Sequence, residues 1–208
     1  MAVRSLDELN EMSMPPEQYF EGMELSKSQK EERIKYTERT YEAILSAMYL
    51  IDAYMSYGNV DYEAVKIKLG DDLARIVAEF ILLDDYLKLY LSDFAQNFID
   101  STKRNIDKEW YLSEDRALFN AENSANDALN YKEYIRAVKN GKTHKKWLTA
   151  MDTKVRLSHL EVENTVLPIA EYFVVGDTLM RFPKDCDMAV GSPQEIVNCR
   201  CSIKYFSM

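Results

Sequence analysis

Residues 113–150 read SEDRALFNAENSANDALNYKEYIRAVKNGKTHKKWLTA, and the fold turns on a change of rhythm inside this stretch. From Ser113 to about Asn140, Leu118, Ala121, Ala125, Leu129, Ile135 and Val138 fall on one side of a helix. Ser113 can cap its start, and Gly141 stops it because glycine enters the left-handed region without steric cost. Beyond Gly141 the apolar period drops from about 3.6 to about 2, the signature of strands. Short β-type runs are expected at 146–150, 165–169, 172–175, 178–182 and 196–205. Gly176-Asp177 between two of them has the form of a two-residue hairpin loop, with glycine first as a type II′ turn requires. Ser192-Pro193-Gln194-Glu195 has capping-box spacing with proline at the first helical position, so a helical turn should precede the last strand.

Upstream the chain reads as helix. Ser26 or Ser28 caps a segment running to Tyr57, which Gly58-Asn59 ends. Asp61 then caps a short helix to Leu69. Gly70-Asp71 leads into a longer one whose Leu73, Ile76, Val77, Phe80, Leu83, Leu87, Tyr90, Leu91, Phe94 and Phe98 form a broad apolar face. The first residues, through Pro15 and Pro16, read as an arm or short helices. The expected class is α+β: a helical N-terminal region over 1–112, and a small, mainly antiparallel β-containing domain over 113–208 packed on the helix from Ser113 to Asn140.

Composition excludes several classes of function. Of 208 residues, 47% are hydrophobic and 29% charged, which suits a globular chain rather than a disordered or fibrous one. The net charge of −9 offers no whole-molecule attraction to phosphate backbones or anionic lipid. Asp7, Glu8 and Glu11 interrupt any signal-peptide core, so no export is expected. The greasiest stretch, Ile76 to Leu91, carries Glu79, Asp84, Asp85 and Lys88, and reads as a core helix rather than a membrane span. Tyrosine is unusually frequent, at 14, and with the scattered methionines suits contact surfaces on the helical half.

Three constellations carry possible chemistry. Cys186, Cys199 and Cys201 with His159 have the ligand types of a zinc site, three thiolates and an imidazole. The plainer reading makes Val197, Cys199, Cys201 and Ile203 the inward face of a strand, with Asn198, Arg200 and Ser202 outward. His159 with Asp152 and Arg156 could suggest a hydrolytic or ADP-ribosyl-transfer site. No nucleophile elbow, zinc-protease motif or phosphate loop accompanies them, and the favoured reading pairs Arg156 with Asp152 and bonds His159 to a loop carbonyl. Positive charge gathers at Lys139, Lys142, Lys145 and Lys146, which are candidate DNA contacts or a solvated face.

From Leu118 to Ile203 an ordered series resembles the Mu F-like minor head proteins of tailed bacteriophages. Its parts are Ala121-Glu122-Asn123, Lys145-Lys146-Trp147, Asp152 with Arg156 and His159, Phe173, Pro183-Lys184-Asp185, and Asn198-Cys199-Arg200-Cys201. Where such proteins carry Asp-Gly or Asn-Gly after the histidine, this chain has Glu163-Asn164, and Asn164 can still take the left-handed turn. The resemblance implies a non-enzymatic minor head protein with portal, capsid or scaffold partners; phage DNA at the basic run is a further candidate partner, and the interrupted apolar stretch gives no membrane partner. Such a protein would act in head morphogenesis or DNA delivery, in the virion head near the portal and in the host cytoplasm during assembly. Glu122, Trp147, Asp152, Arg156, His159, Pro183, Asn198, Cys199, Arg200 and Cys201 are then motif residues that hold the domain together. No resident cofactor is expected, zinc at the thiols being the alternative. A prophage-derived effector enzyme, hydrolase or ADP-ribosyltransferase-like toxin, on the same domain is the alternative function.

Overall fold

The computed structural model describes residues 16–185 and 193–208. After a single turn, α1 (Pro16–Tyr19), come α2 (Lys27–Ser56), α3 (Tyr62–Phe80), α4 (Asp85–Arg104), a 3-10 turn (Glu109–Leu112) and α5 (Glu114–Lys139). The remainder holds β1 (His144–Leu148), α6 (Leu157–Glu161), β2 (Val166–Pro168), β3 (Phe173–Val175), β4 (Thr178–Met180), α7 (Pro193–Ile196) and β5 (Ser202–Phe206). The α+β expectation holds, with the helices concentrated in the N-terminal half.

The caps explain where the helices start. Ser26 and Gln29 form a reciprocal capping box on α2. The side chains of Asp61, Asp84 and Ser113 accept from the third backbone N–H beyond them, opening α3, α4 and α5. One boundary differs from expectation. The helix begun by Asp61 runs through Gly70 to Phe80, and the break falls at 81–84. An interior glycine costs a helix only about 1 kcal/mol, and Gly70 has no positive φ. Ile81 instead goes extended, at φ −142° and ψ 145°, and Asp84 restarts the helix.

The β part has two small antiparallel sheets, one in the order β2-β1-β5 and the other the β3-β4 hairpin. Trp147 on β1 stands opposite Ile203 on β5. Val175 pairs with Thr178 across the hairpin, Gly176 at φ 59° occupies the first turn position, and Asp177 is not among the positive-φ residues, as a type II′ turn requires. Asn164 takes φ 63°, so the left-handed turn survives without glycine. The last strand starts later than expected: only 202–206 pairs with β1, and Cys199 and Cys201 lie on the connection from α7. Accordingly Val197 is exposed and Ser202 buried, against the alternation read from sequence.

Helix α5 joins the two halves. It packs on α2 on one side and on β5 and the cysteine connection on the other. One buried cluster runs from Tyr19 and Phe20 through Ile44, Leu73 and Ala121 to Trp147, Phe173 and Ile203. Alanines at 117, 121, 125 and 128 allow that close approach.

Candidate functional site

Polar residues interrupt the alanine face of α5 at Asn123, Asn126 and Asn130, spaced to lie along one side of the helix. Each ties down part of the C-terminal region. Asn123 Oδ1 accepts from the backbone N–H of Asn198 at 2.7 Å and from Lys184 Nζ at 2.9 Å. Asn126 Nδ2 donates to Cys199 O at 2.8 Å and Cys201 O at 3.4 Å, while Asn130 Nδ2 donates to Pro183 O and Cys201 O. The opposite edges of the two inner amides face Arg33 of α2. Its guanidinium, fully buried, donates to Asn126 Oδ1 at 3.3 Å, Asn130 Oδ1 at 3.0 Å and Glu133 Oε1 at 2.8 Å. A buried cation with so many acceptors orients both amides and leaves their N–H groups pointing at the cysteine backbone.

On that clamped connection, Asn198 turns the chain at φ 56° and brings Cys199 and Cys201 together beneath α6. His159 Nδ1 lies 3.3 Å from Cys201 Sγ and 3.5 Å from Cys199 Sγ. Its Nε2 is 3.1 Å from Glu195 Oε2, and that same oxygen accepts from Ser158 Oγ at 2.7 Å. Because the carboxylate can only accept, Nε2 carries a proton and Nδ1 faces the sulfurs. Trp147 closes the site edge-on, 5.9 Å from the imidazole centroid. His159 is 1% exposed and each cysteine 2%.

The electrostatics of the three groups are mutual. Burial disfavours charge on His159, yet the hydrogen bond and charge of Cys199 outweigh it, with Glu195 adding to them, and its pKa rises. Burial also pushes Cys199 up, but hydrogen bonds from Cys201 and His159 and the imidazole's charge bring it well below an ordinary thiol. Cys201 is raised, first by its hydrogen bond to Cys199 and then by burial. The indole N–H of Trp147 favours the Cys201 thiolate electrostatically without meeting hydrogen-bond geometry.

Other expected residues go elsewhere. Asp152 pairs with Arg200 rather than Arg156, whose guanidinium reaches Val197 O. His159 bonds the Glu195 carboxylate and not a loop carbonyl. Lys145, read as a DNA contact, is fully buried: its ammonium donates to Glu171 O and Arg181 O, and burial lowers its pKa to about 8. It cannot reach a phosphate on the surface. Lys139 is exposed, and Lys142 and Lys146 are half-buried. Glu122 is buried on α5, and Pro183 is buried beside Asn130. Cys186 and Ser192 lie outside the described residues. Sequence reading missed Arg33, Asn126, Asn130 and Glu195; asparagines at helical spacing among alanines are the signal that could have found the middle two.

A family model described as Phage Mu protein F like protein matches residues 96–204. The chain belongs to that family. No curated protein and no solved structure was found to match it. The span matched by the Mu F-like family contains α5, β1 to β4, the first three residues of β5 and every one of the converging side chains except Arg33 of α2. No helix among the described residues is long and apolar enough to cross a membrane. A groove of about 640 Å³ lies where α2, α5, β1 and β5 meet, lined by Gln29, Glu133, Arg136, Leu148 and Tyr205 among others. Neither His159 nor either cysteine lines that groove, so the reactive groups of the Mu F-like region have no access to a substrate through it. Among the described residues, His159, Cys199 and Cys201 form the group that could hold a metal ion, their donor atoms lying within 4.8 Å of one another.

Proposed function

We propose that this Mu F-like protein is a minor head component of a tailed phage or prophage, associated with the portal and acting in head morphogenesis or DNA delivery without enzymatic turnover. The observation that carries the reading is the family match over 96–204, whose chemistry-bearing residues are spent on closing a buried domain. Catalysis needs a reacting atom to reach the nucleophile and base, and the imidazole and thiols are sealed under Trp147. The helical half supplies the surface for partners: Tyr49, Met55, Tyr57, Ile67, Leu82 and Leu89 are exposed there, of the types that make protein contacts. Lys139, with Lys142 and Lys146, is the remaining candidate for DNA.

Co-expression with the portal protein from the same genome tests this. The expected result is a complex that co-elutes in gel filtration and is weakened by Tyr57→Asp with Leu89→Asp. Absence of a complex, together with hydrolase or ADP-ribosyltransferase turnover by the purified chain, would overturn it in favour of an effector enzyme.

A further inference from the structure

We propose that His159, Cys199 and Cys201 form a structural metal site, selective for zinc, which fastens the connection between α7 and β5 to α6. Three donors converge from two separated parts of the chain, all within 4.8 Å of one another, and the two sulfur–nitrogen separations are close to those around a zinc ion. With Zn–S about 2.3 Å and Zn–N about 2.0–2.1 Å, sulfur and nitrogen on one zinc stand about 3.6 Å apart. The two sulfurs here are 3.3 and 3.5 Å from Nδ1.

Without a metal the three groups are held by hydrogen bonds, Cys199 accepting from both Cys201 and His159, yet both sulfurs still lie close to the one nitrogen Nδ1. A cation between the three atoms satisfies all of them. Two thiolates also cancel the charge of a divalent ion, so the site can stay buried without a stranded charge.

The surroundings are those of a prepared ligand set. Glu195 on Nε2 is the carboxylate–histidine pairing that fixes the metal-binding tautomer, and Ser158 in turn fixes the carboxylate. Asn126 and Asn130 hold the Cys199 and Cys201 carbonyls, so neither sulfur has to be ordered when metal arrives. Thiolate donors with one imidazole select zinc over magnesium or calcium, which require oxygen. Binding releases the protons still held by the thiols, so affinity rises with pH.

The test uses the full chain, purified anaerobically without chelator. Elemental analysis should find about one zinc per chain. Replacement by cobalt should give sulfur-to-metal charge-transfer absorption, reduced in Cys199→Ser and in Cys201→Ser. Chelator should lower the melting temperature of the wild-type protein and zinc should restore it, a reading that does not depend on any variant folding. Metal-free protein whose melting temperature ignores both zinc and chelator would overturn the proposal, whether its thiols prove free or joined as a disulfide. None of these readouts involves the portal, so they stand or fall separately from the head-assembly reading.

Discussion

Glu122, a motif residue on α5, is 6% exposed, and its Oε1 has no hydrogen-bond partner among the described residues. Burial raises its pKa from 4.5 to about 8, with Arg200 pulling in the other direction. Below about pH 4.5 the folded and unfolded chains both hold the proton, and the site costs nothing through ionisation. Between 4.5 and about 8 the unfolded chain releases the proton while the folded chain keeps it, so stability falls as pH rises. Glu122→Gln keeps the shape and removes the titration. Urea unfolding at pH 5 and pH 8 should show the variant near wild type at the lower pH and more stable by about 2–4 kcal/mol at the higher one. A wild-type-minus-variant difference that does not change with pH would mean that the carboxyl is ionised in the folded state. Asp127, one turn and a half along the same helix, is also raised by burial, to about 6, but Lys184 and Tyr90 hold it down. Of the two buried carboxyls, the one without a cationic hydrogen-bond partner is the one that should dominate the alkaline loss.

Between elements, the decisive joint is Arg33 of α2 against the asparagine side of α5. Arg33→Ala leaves Asn126 and Asn130 without their donor and strips Glu133 of its ion pair. Breaking a buried charged network by removing one partner costs about 3–5 kcal/mol, on the order of 10 °C in melting temperature for a chain of this size. The same change should speed reaction of Cys199 and Cys201 with a thiol reagent, because the freed amides no longer hold their backbone. A variant that melts like wild type with equally slow thiols would show that the amides are oriented without Arg33. This joint was illegible in the sequence because its partners lie about a hundred residues apart, and no local pattern marks an arginine as buried. Local chemistry was legible: Ser26, Asp61 and Ser113 cap where expected, and Gly176-Asp177 turns the hairpin. The errors came where two local signals competed. Gly70 looked like a break and Asp84 did not, although a helix absorbs a glycine more readily than it continues past an extended Ile81. At 196–203 the alternation of Val, Cys, Cys and Ile imitates a strand, but Asn198 at positive φ reverses the chain there and the real strand begins at Ser202. Residue types offered the grouping of His159 with the cysteines only as the zinc alternative, while the favoured reading gave His159 a loop carbonyl. Glu195 as the partner of His159 was not readable, since the pairing depends on α7 folding back beside the hairpin, where a side chain on Gly176 would strike it.

At the scale of the molecule, the question is whether the C-terminal region can stand alone. A cut at 112/113 would fall just before α5 and follow the sequence pattern, and the family match itself begins inside α4. Yet α5 is buried along its α2 side as well as its β side. Tyr36 bonds Ser124 there, Arg33 holds the asparagines, and Phe20, Ile44 and Ala47 belong to the same buried cluster as Trp147 and Ile203. Removing 1–112 would expose that apolar strip and unclamp the cysteine connection in one step. Small sheets of short strands have little independent stability without a helix or second layer to cover them, and α5 would then have only one covered side. The fragment 113–208 is therefore expected to lack a cooperative thermal transition and to give a poorly dispersed amide NMR spectrum. Mixing it with separately produced 1–112 should restore dispersion, because the lost contacts are made by whole helices that can dock again. A sharp, dispersed spectrum from 113–208 alone would show that the β region is self-sufficient and that α2 and Arg33 are additions to a finished core.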